Sequence, residues 1–443
     1  MLSSRNLLIL LISTFLVGCL EQPPVPKITP SPTPTPVPKS TPNPTIAHLD
    51  TDGMMLAYSD HTVIRDYLIQ RLAAYRSFLN YTPMLSGEKG RKVKEQLAEY
   101  SSRFADEFLE GFQSYGDSIK SAEGFFVKKK FLAIENACPV LQPFASMEAS
   151  DVTGPTMVPA DTDLLIFQEI DPEKLIEVST SFVNRLQIPG INISQDQIKA
   201  EIEQAAGGSY DLTEFGSQIA LVVRLTADTI RIPGLDIAIP KPQFALILYP
   251  PNDRLAGRLV ANMGDSQEVE KSESNGMTFL SQKLPPGNPT DRVTFGIAKN
   301  FILVGSDEQL VRDIVDTKSG KNPALGSNAE FQRLAKDMPG KANSYFYSSP
   351  AFHDALQQVK SGLDSGIAEN TPVAQRAALI SINLYISGFG KALNGYGVSS
   401  RVQGGYYTIA HTRTSEYVDL MAIALSSMTA VNTYLSQLLL NQE

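Results

Sequence analysis

The chain of 443 residues has no tryptophan, two cysteines and four histidines. No His-x-x-x-His or Cys-x-x-Cys pair occurs among His48, His61, His353, His411, Cys19 and Cys138, so a zinc site has no recognisable core. Each histidine is expected at the surface or satisfied in the core. A Gly-x-Ser-x-Gly elbow is missing too. The glycines of Gly388-Phe389-Gly390-Lys391 and Gly395-Tyr396-Gly397 lack the spacing and the following Ser or Thr of a phosphate loop, and read as turns. Ser349, His353 and Asp354 share one helix start, too close together for triad geometry. Basic residues are not in excess: 38 Lys and Arg stand against 47 Asp and Glu, a net charge of −9 that argues against nucleic acid as a partner. These absences leave no cofactor, metal or catalytic residue to nominate.

What is present begins at the N-terminus. Arg5, the apolar stretch from Leu7 to Leu16 and a small residue before the cleavage point have the layout of a secretory signal over residues 1–18, too short to span a bilayer. Leu16-Val17-Gly18-Cys19 resembles the lipobox of bacterial lipoproteins. That resemblance implies a diacylglycerol on Cys19 and a mature chain that starts there. Each buried methylene contributes roughly 0.8 kcal/mol, so two or three acyl chains hold a protein firmly to a membrane surface. Cys138 is then the one remaining thiol and cannot form an internal disulfide; among Ala137, Pro139 and Val140 it reads as a buried structural cysteine.

Residues 19–47 are proline- and threonine-rich, with Pro32, Pro34, Pro36 and Pro38 removing every second backbone donor. Extended at about 3.1 Å per residue, this spacer would hold a folded head on the order of 80 Å from the lipid. Residues 48–150 are expected to form a helical module. Ile64, Leu68, Leu72, Tyr75 and Leu79 recur at helical spacing. A second stripe runs through Val93, Leu97, Tyr100, Phe104, Phe108, Phe112, Tyr115 and Ile119, which predicts an antiparallel helical hairpin. Asp50-Thr51-Asp52-Gly53 starts like a calcium loop, but the later ligand positions do not follow.

From Pro159 the pattern changes to short runs rich in branched residues. Asp163–Gln168 predicts a strand, Asp171-Pro172 a helix start, Ser194–Ala206 a second helix, Gln218–Leu225 and Gln243–Tyr249 paired strands, and Asn252–Ala261 a closing helix. The order returns with a strand at Ser344–Tyr347, a helix from Ser349-Pro350, strands at Tyr396–Arg401 and Tyr406–Thr412, and a final helix, which suggests a duplicated β-α-β-β-α unit across 151–340 and 341–443. Between the copies, Val293–Ala298 and Phe301–Gly305 read as a hairpin, with Ser306 capping the next helix. The fold class expected is α+β: antiparallel sheets with helices on one face. Carboxylate pairs such as Asp161 and Asp163 fall on one strand face, a placement open to acid/base or cation chemistry, but they are read as a solvated strand start. The uncharged stretch Leu420–Leu440 is long enough to span a membrane, but its polar residues fall on one side, as in a packing helix.

Pro159-Ala160-Asp161, Asn300–Val315 (NFILVGSDEQLVRDIV) and Asn328-Ala329-Glu330-Phe331 resemble the bacterial family named domain of unknown function 3352, over Met157 to Leu356. The resemblance implies an exported or membrane-attached α+β protein and carries over no activity or site residue. Taken together, the expectation is an extracytoplasmic lipoprotein of the cell envelope, anchored through Cys19 to the cell or outer membrane, that binds or scaffolds an envelope protein or glycan without catalysis. The alternative is an envelope hydrolase working through dispersed carboxylates.

Overall fold

The computed structural model describes residues 45–66, 88, 91, 95, 99, 103, 106, 110–135, 148–185, 194–206, 212–232, 234–235, 237–264, 269–284, 292–367, 379, 382–383, 386 and 394–415. Cys19, the spacer, Cys138, Gly388–Lys391 and the expected C-terminal helix lie outside the described residues. Among the described residues no helix is long and apolar enough to cross a membrane.

The protein is α+β, built on one antiparallel sheet of thirteen strands. Its strands are β1 (Met55–Asp60), β2 (Phe112–Ala122), β3 (Phe125–Ile134), β5 (Leu164–Glu169), β6 (Gln218–Arg231), β7 (Ala238–Leu248), β8 (Val269–Ser274), β9 (Met277–Lys283), β10 (Arg292–Ala298), β11 (Phe301–Gly305), β13 (Ser344–Ser348), β14 (Gly395–Val402) and β15 (Gly405–Thr412). Two short strands, β4 (Ser150–Asp151) and β12 (Lys341–Ala342), pair separately. Across the large sheet the order is β1-β2-β3-β15-β14-β13-β5-β6-β7-β11-β10-β9-β8. At its centre β5 and β13 lie side by side; β5 is followed in sequence by helices at Pro172–Arg185 and Gln195–Ala206 and the β6–β7 hairpin, and β13 by a helix at Pro350–Ser365 and later the β14–β15 hairpin, each hairpin extending the sheet outward on its own side.

Residues 48–150 depart from the expected helical module. The chain is helical at 61–66 and at Glu88, Arg91, Glu95, Glu99, Arg103 and Asp106, but the same stretch supplies β1, β2 and β3. Tyr115 and Ile119, counted as helical, lie on β2. A separation of four residues returns to one face in a helix and in a strand alike, so that spacing alone could not decide between them.

The helices are α1 (Pro172–Arg185), α2 (Gln195–Ala206), α3 (Arg254–Gly264), α4 (Glu308–Lys318), α5 (Ala329–Ala335) and α6 (Pro350–Ser365). Local chemistry starts them. Asp171 Oδ1 accepts from Lys174 N at the head of α1, and Ser349 Oγ accepts from Phe352 N beside Pro350 at the head of α6. Asn328 caps α5 through Glu330 N and Phe331 N. For α4 the expected cap moves by one residue: Asp307 accepts from Leu310 N, while Ser306 Oγ accepts from Phe244 N and ties the helix start to β7.

The sheet is covered on both faces, not one. On the first face α4 and α5 bury Leu310, Val311, Ile314, Phe331 and Leu334 against Leu165, Phe167, Val222, Ile247, Phe279, Leu303, Tyr345 and Tyr347. On the second, α3 packs Leu255 and Ala256 on Leu280, Ile297 and Ile302. Phe279 and Leu280 are consecutive on β9 and must point to opposite faces, so α3 and α4 do as well.

Candidate functional site

The residues singled out in the sequence do not converge. His48 stacks on Phe131, with ring centroids 4.1 Å apart, and His61 opens the helical turn at 61–66. His353 lies on α6, and His411 is buried on β15. No group of three or more His, Cys, Asp or Glu that could hold a metal occurs among the described residues. Asp50 and Asp52 are taken by Lys129 at 2.7 Å and Lys120 at 2.8 Å. Gly395 and Gly397, expected in a turn, lie inside β14, where the Phe346 ring fills the space above Gly397.

Asp161 and Asp163 separate in role. Asp161 is exposed, 3.7 Å from Arg224, whose closer partner is Asp313 at 2.6 Å. Asp163 is a clasp: Oδ1 accepts from Ser349 Oγ at 2.5 Å and Oδ2 from Leu225 N at 2.7 Å, while its carbonyl accepts from Ser349 N. Burial pushes its carboxyl above the usual range, against those hydrogen bonds. Ser349 Oγ spends its proton on Asp163 and a lone pair on Phe352 N, so this pair joins β5, β6 and α6 structurally.

His411 is biased toward its neutral form for a physical reason. Its Nδ1 meets Leu334 O at 2.8 Å, Phe125 stacks on the ring at 4.5 Å, and burial lowers its pKa from the ordinary histidine value. Below about 6.5 the unfolded chain takes up this proton while the folded one resists, so the stability present above that pH is lost as pH falls toward the folded value. Urea denaturation from pH 7.5 to 5 should therefore show a smaller acid loss in His411→Gln, which keeps an N–H donor, than in the wild type.

The pairing registers expose a constellation that no sequence motif carries. Reading straight across the sheet, Asp117 pairs with Lys130, Lys130 with Thr408, Thr408 with Ser399, Ser399 with Ser344 and Ser344 with Gln168. Directly paired residues of an antiparallel sheet point to the same face, so six polar side chains form one row about 24 Å long at about 4.8 Å per strand. Asp117 is 1% exposed, and Ser399, Ser344 and Gln168 are each 4% exposed, while Lys130 and Thr408 are half-buried. Ser399 Oγ and Thr408 Oγ1 share a 2.8 Å hydrogen bond, and Tyr115 OH donates to Asp117 Oδ2 at 3.0 Å.

The same row continues beyond Gln168 as Ile219, Leu248, Ile302 and Ile297. The last three belong to the apolar cluster under α3, as a packed interface requires. Polarity therefore changes along one face at the β5–β6 boundary. At the centre of the sheet the opposite face is aromatic: Phe167 stacks on Tyr345 at 4.6 Å, and Phe331 meets Tyr347 and Tyr396 at 5.5 and 5.0 Å. A buried polar group without a partner costs about 1–3 kcal/mol. Gln168 Oε1 has no hydrogen-bond partner among the described residues, its amide nitrogen being turned to Glu169 O at 3.0 Å. Glu169, on the other face, is satisfied by Asn343 Nδ2 and Gln218 Nε2.

The chain enters the sheet on the face away from this row. Thr45 Oγ1 bonds Ser114 Oγ at 2.7 Å, Asp50 N donates to Ser118 Oγ at 3.0 Å, and His48 and Lys129 complete the clamp. Ser114 and Ser118 alternate with Asp117 along β2, which puts the root of the spacer and the polar row on opposite faces. Comparison with family models, with curated proteins and with solved structures returns no significant match for this chain.

Proposed function

We propose that this is an extracytoplasmic lipoprotein, tethered to a membrane through Cys19 and the proline-rich spacer, whose sheet binds a ligand along the Asp117–Gln168 row. The observation that carries the binding half is the row itself: hydroxyl, amide and ionic side chains held beneath the surface on one half of a face whose other half is apolar. Such groups orient a guest by hydrogen bonds. The row holds a single carboxylate, Asp117, and no histidine, an inventory suited to recognition. The clamp at Thr45–Asp50 turns the row away from the tether root. The resemblance of Pro159-Ala160-Asp161 and Asn300–Val315 to domain of unknown function 3352 belongs to the same proposal and names no ligand.

Two measurements test it. Cys19→Ser should move the protein from the membrane to the soluble fraction and abolish acyl labelling, because the polar spacer cannot hold lipid by itself; retention after a salt wash would refute the anchor. Native mass spectrometry of gently purified full chain should find a bound mass that a Ser399→Ala, Thr408→Val double variant lacks. Identical spectra for the two would refute the row as a binding site.

A further inference from the structure

We infer that Lys321 and Asn275 are the two ends of an intramolecular isopeptide bond, formed with loss of ammonia and assisted by Asp316, that ties the β8–β9 turn to the end of α4. The inference is independent of the polar row and adds a covalent modification to the head.

Two backbone turns bring the three side chains together. Asn275 and Gly276, at φ 52° and 72°, form the tight turn between Ser274 and Met277. At the other end α4 stops at Lys318, Gly320 takes φ 78°, and the chain folds back so that Lys321 N donates to Asp316 O at 2.8 Å. Lys321 therefore stands beside the last turn of α4, and its side chain and that of Asp316 both reach the tip of the hairpin.

The distances match what amide formation needs. Lys321 Nζ lies 2.5 Å from Asn275 Oδ1. One carbonyl bond farther on, Cγ is at most about 3.7 Å from Nζ, next to the ~3–3.5 Å of a near-attack geometry. Asp316 Oδ1 is 2.6 Å from Asn275 Nδ2, the atom that leaves, and 3.5 Å from Lys321 Nζ, the atom that attacks. One carboxylate oxygen thus faces both nitrogens. Only an uncharged amine attacks a carbonyl carbon, and Asp316 is placed to relay the protons of the lysine to the departing nitrogen.

The step balances with no added reactant. The Nζ–Cγ bond forms, the Cγ–Nδ2 bond breaks, and a lysine ammonium and a carboxamide become a secondary amide and an ammonium ion. Asn275 and Lys321 are exposed, so the ammonium escapes into solvent and the bond stays made. The bond spans 46 positions of the chain and closes β9, β10, β11 and α4 into one covalent ring beside β8, the last strand of the sheet. No cysteine occurs between Val269 and Lys321, so a disulfide could not make this tie.

Peptide mapping by tandem mass spectrometry tests this on the full chain, purified with its anchor in detergent and sampled over days in neutral and mildly alkaline buffer. The wild type should give a branched peptide that joins the segments of Asn275 and Lys321 and is lighter than their sum by one ammonia. Its yield should grow with time, and faster at the higher pH. Asp316→Ala keeps both reacting groups and should slow that growth about tenfold or more. Lys321→Arg keeps the charge and should give linear peptides alone. Linear peptides alone from the wild type overturn the inference, as does a branched peptide that forms equally fast in Asp316→Ala. Conversion of Asn275 to aspartate without a branch, by attack of water or of the Gly276 amide nitrogen, overturns it too.

Discussion

Gly216→Ala is expected to destabilise the fold by about 3 kcal/mol, and Gly276→Ala by only about 1 kcal/mol, although both glycines hold positive φ, at 79° and 72°. Gly216 follows the helical turn Leu212–Phe215 and closes it by donating to Thr213 O at 3.1 Å. A Cβ there would collide with the backbone carbonyl of Tyr249, just past the end of β7, and backbone cannot step aside as a long side chain can. The strand end would have to move, and with it the Tyr249 ring, which meets Phe167 at 6.5 Å and Phe301 at 5.7 Å in the core. Gly276 turns the β8–β9 hairpin together with Asn275, and a Cβ added there meets nothing within 4 Å. Its variant therefore reports the left-handed strain alone. Chemical denaturation of the two variants beside the wild type measures the difference; equal losses would mean that the collision with Tyr249 is relieved at no cost.

The Asn275-Gly276 turn also separates what local sequence chemistry determines from what hydrophobic patterning can show. Asn-Gly between two short runs is the best local hairpin signal, because both central residues of the tight turn need positive φ, and Asn275 at 52° and Gly276 at 72° supply it. The flanking strands, VEKSES and MTFLSQK, are too polar or too short for hydrophobicity to mark β8 and β9. Helix starts were legible wherever a capping side chain preceded proline, at Asp171-Pro172 and Ser349-Pro350, since that chemistry is local. The β10–β11 hairpin was legible for the same reason.

The candidate site was not legible, because its residues meet only through register. Asp117 and Gln168 are brought into one row by strands from both ends of the chain, with β3 pairing with β15 and β13 with β5. The run Lys128-Lys129-Lys130 looks like a solvated patch in sequence. In the strand, alternation sends Lys129 to Asp50 on the spacer face and Lys130 to the row, so one basic run serves two faces. Ser399 and Ser344, plain residues in their own segments, acquire meaning only as neighbours.

Tyr345→Ala should cost about 4 kcal/mol and Tyr345→Phe about 1–2 kcal/mol, and the two losses have different origins. Tyr345 is 1% exposed on β13 at the middle of the sheet, and its ring lies parallel to Phe167 at 4.6 Å. Truncation removes that stacking and opens a cavity bordered by Phe167 and the backbone near Gly154, in a core too crowded to collapse fully. Phenylalanine keeps the ring but deletes the hydroxyl that accepts from Gly154 N at 2.9 Å, leaving that amide buried without its partner. The phenol itself stays protonated at any physiological pH, since burial pushes it far above the ordinary tyrosine value, so neither effect should vary between pH 6 and 9. Because Tyr345 and Ser344 are consecutive on one strand, they face opposite sides of the sheet, the tyrosine into the core against Phe167 and Gly154 and the serine into the polar row. Tyr345→Phe should accordingly lower the urea midpoint while leaving untouched any guest mass seen by native mass spectrometry. Loss of the guest at unchanged stability would place Tyr345 in the binding face and contradict the register on which the row depends.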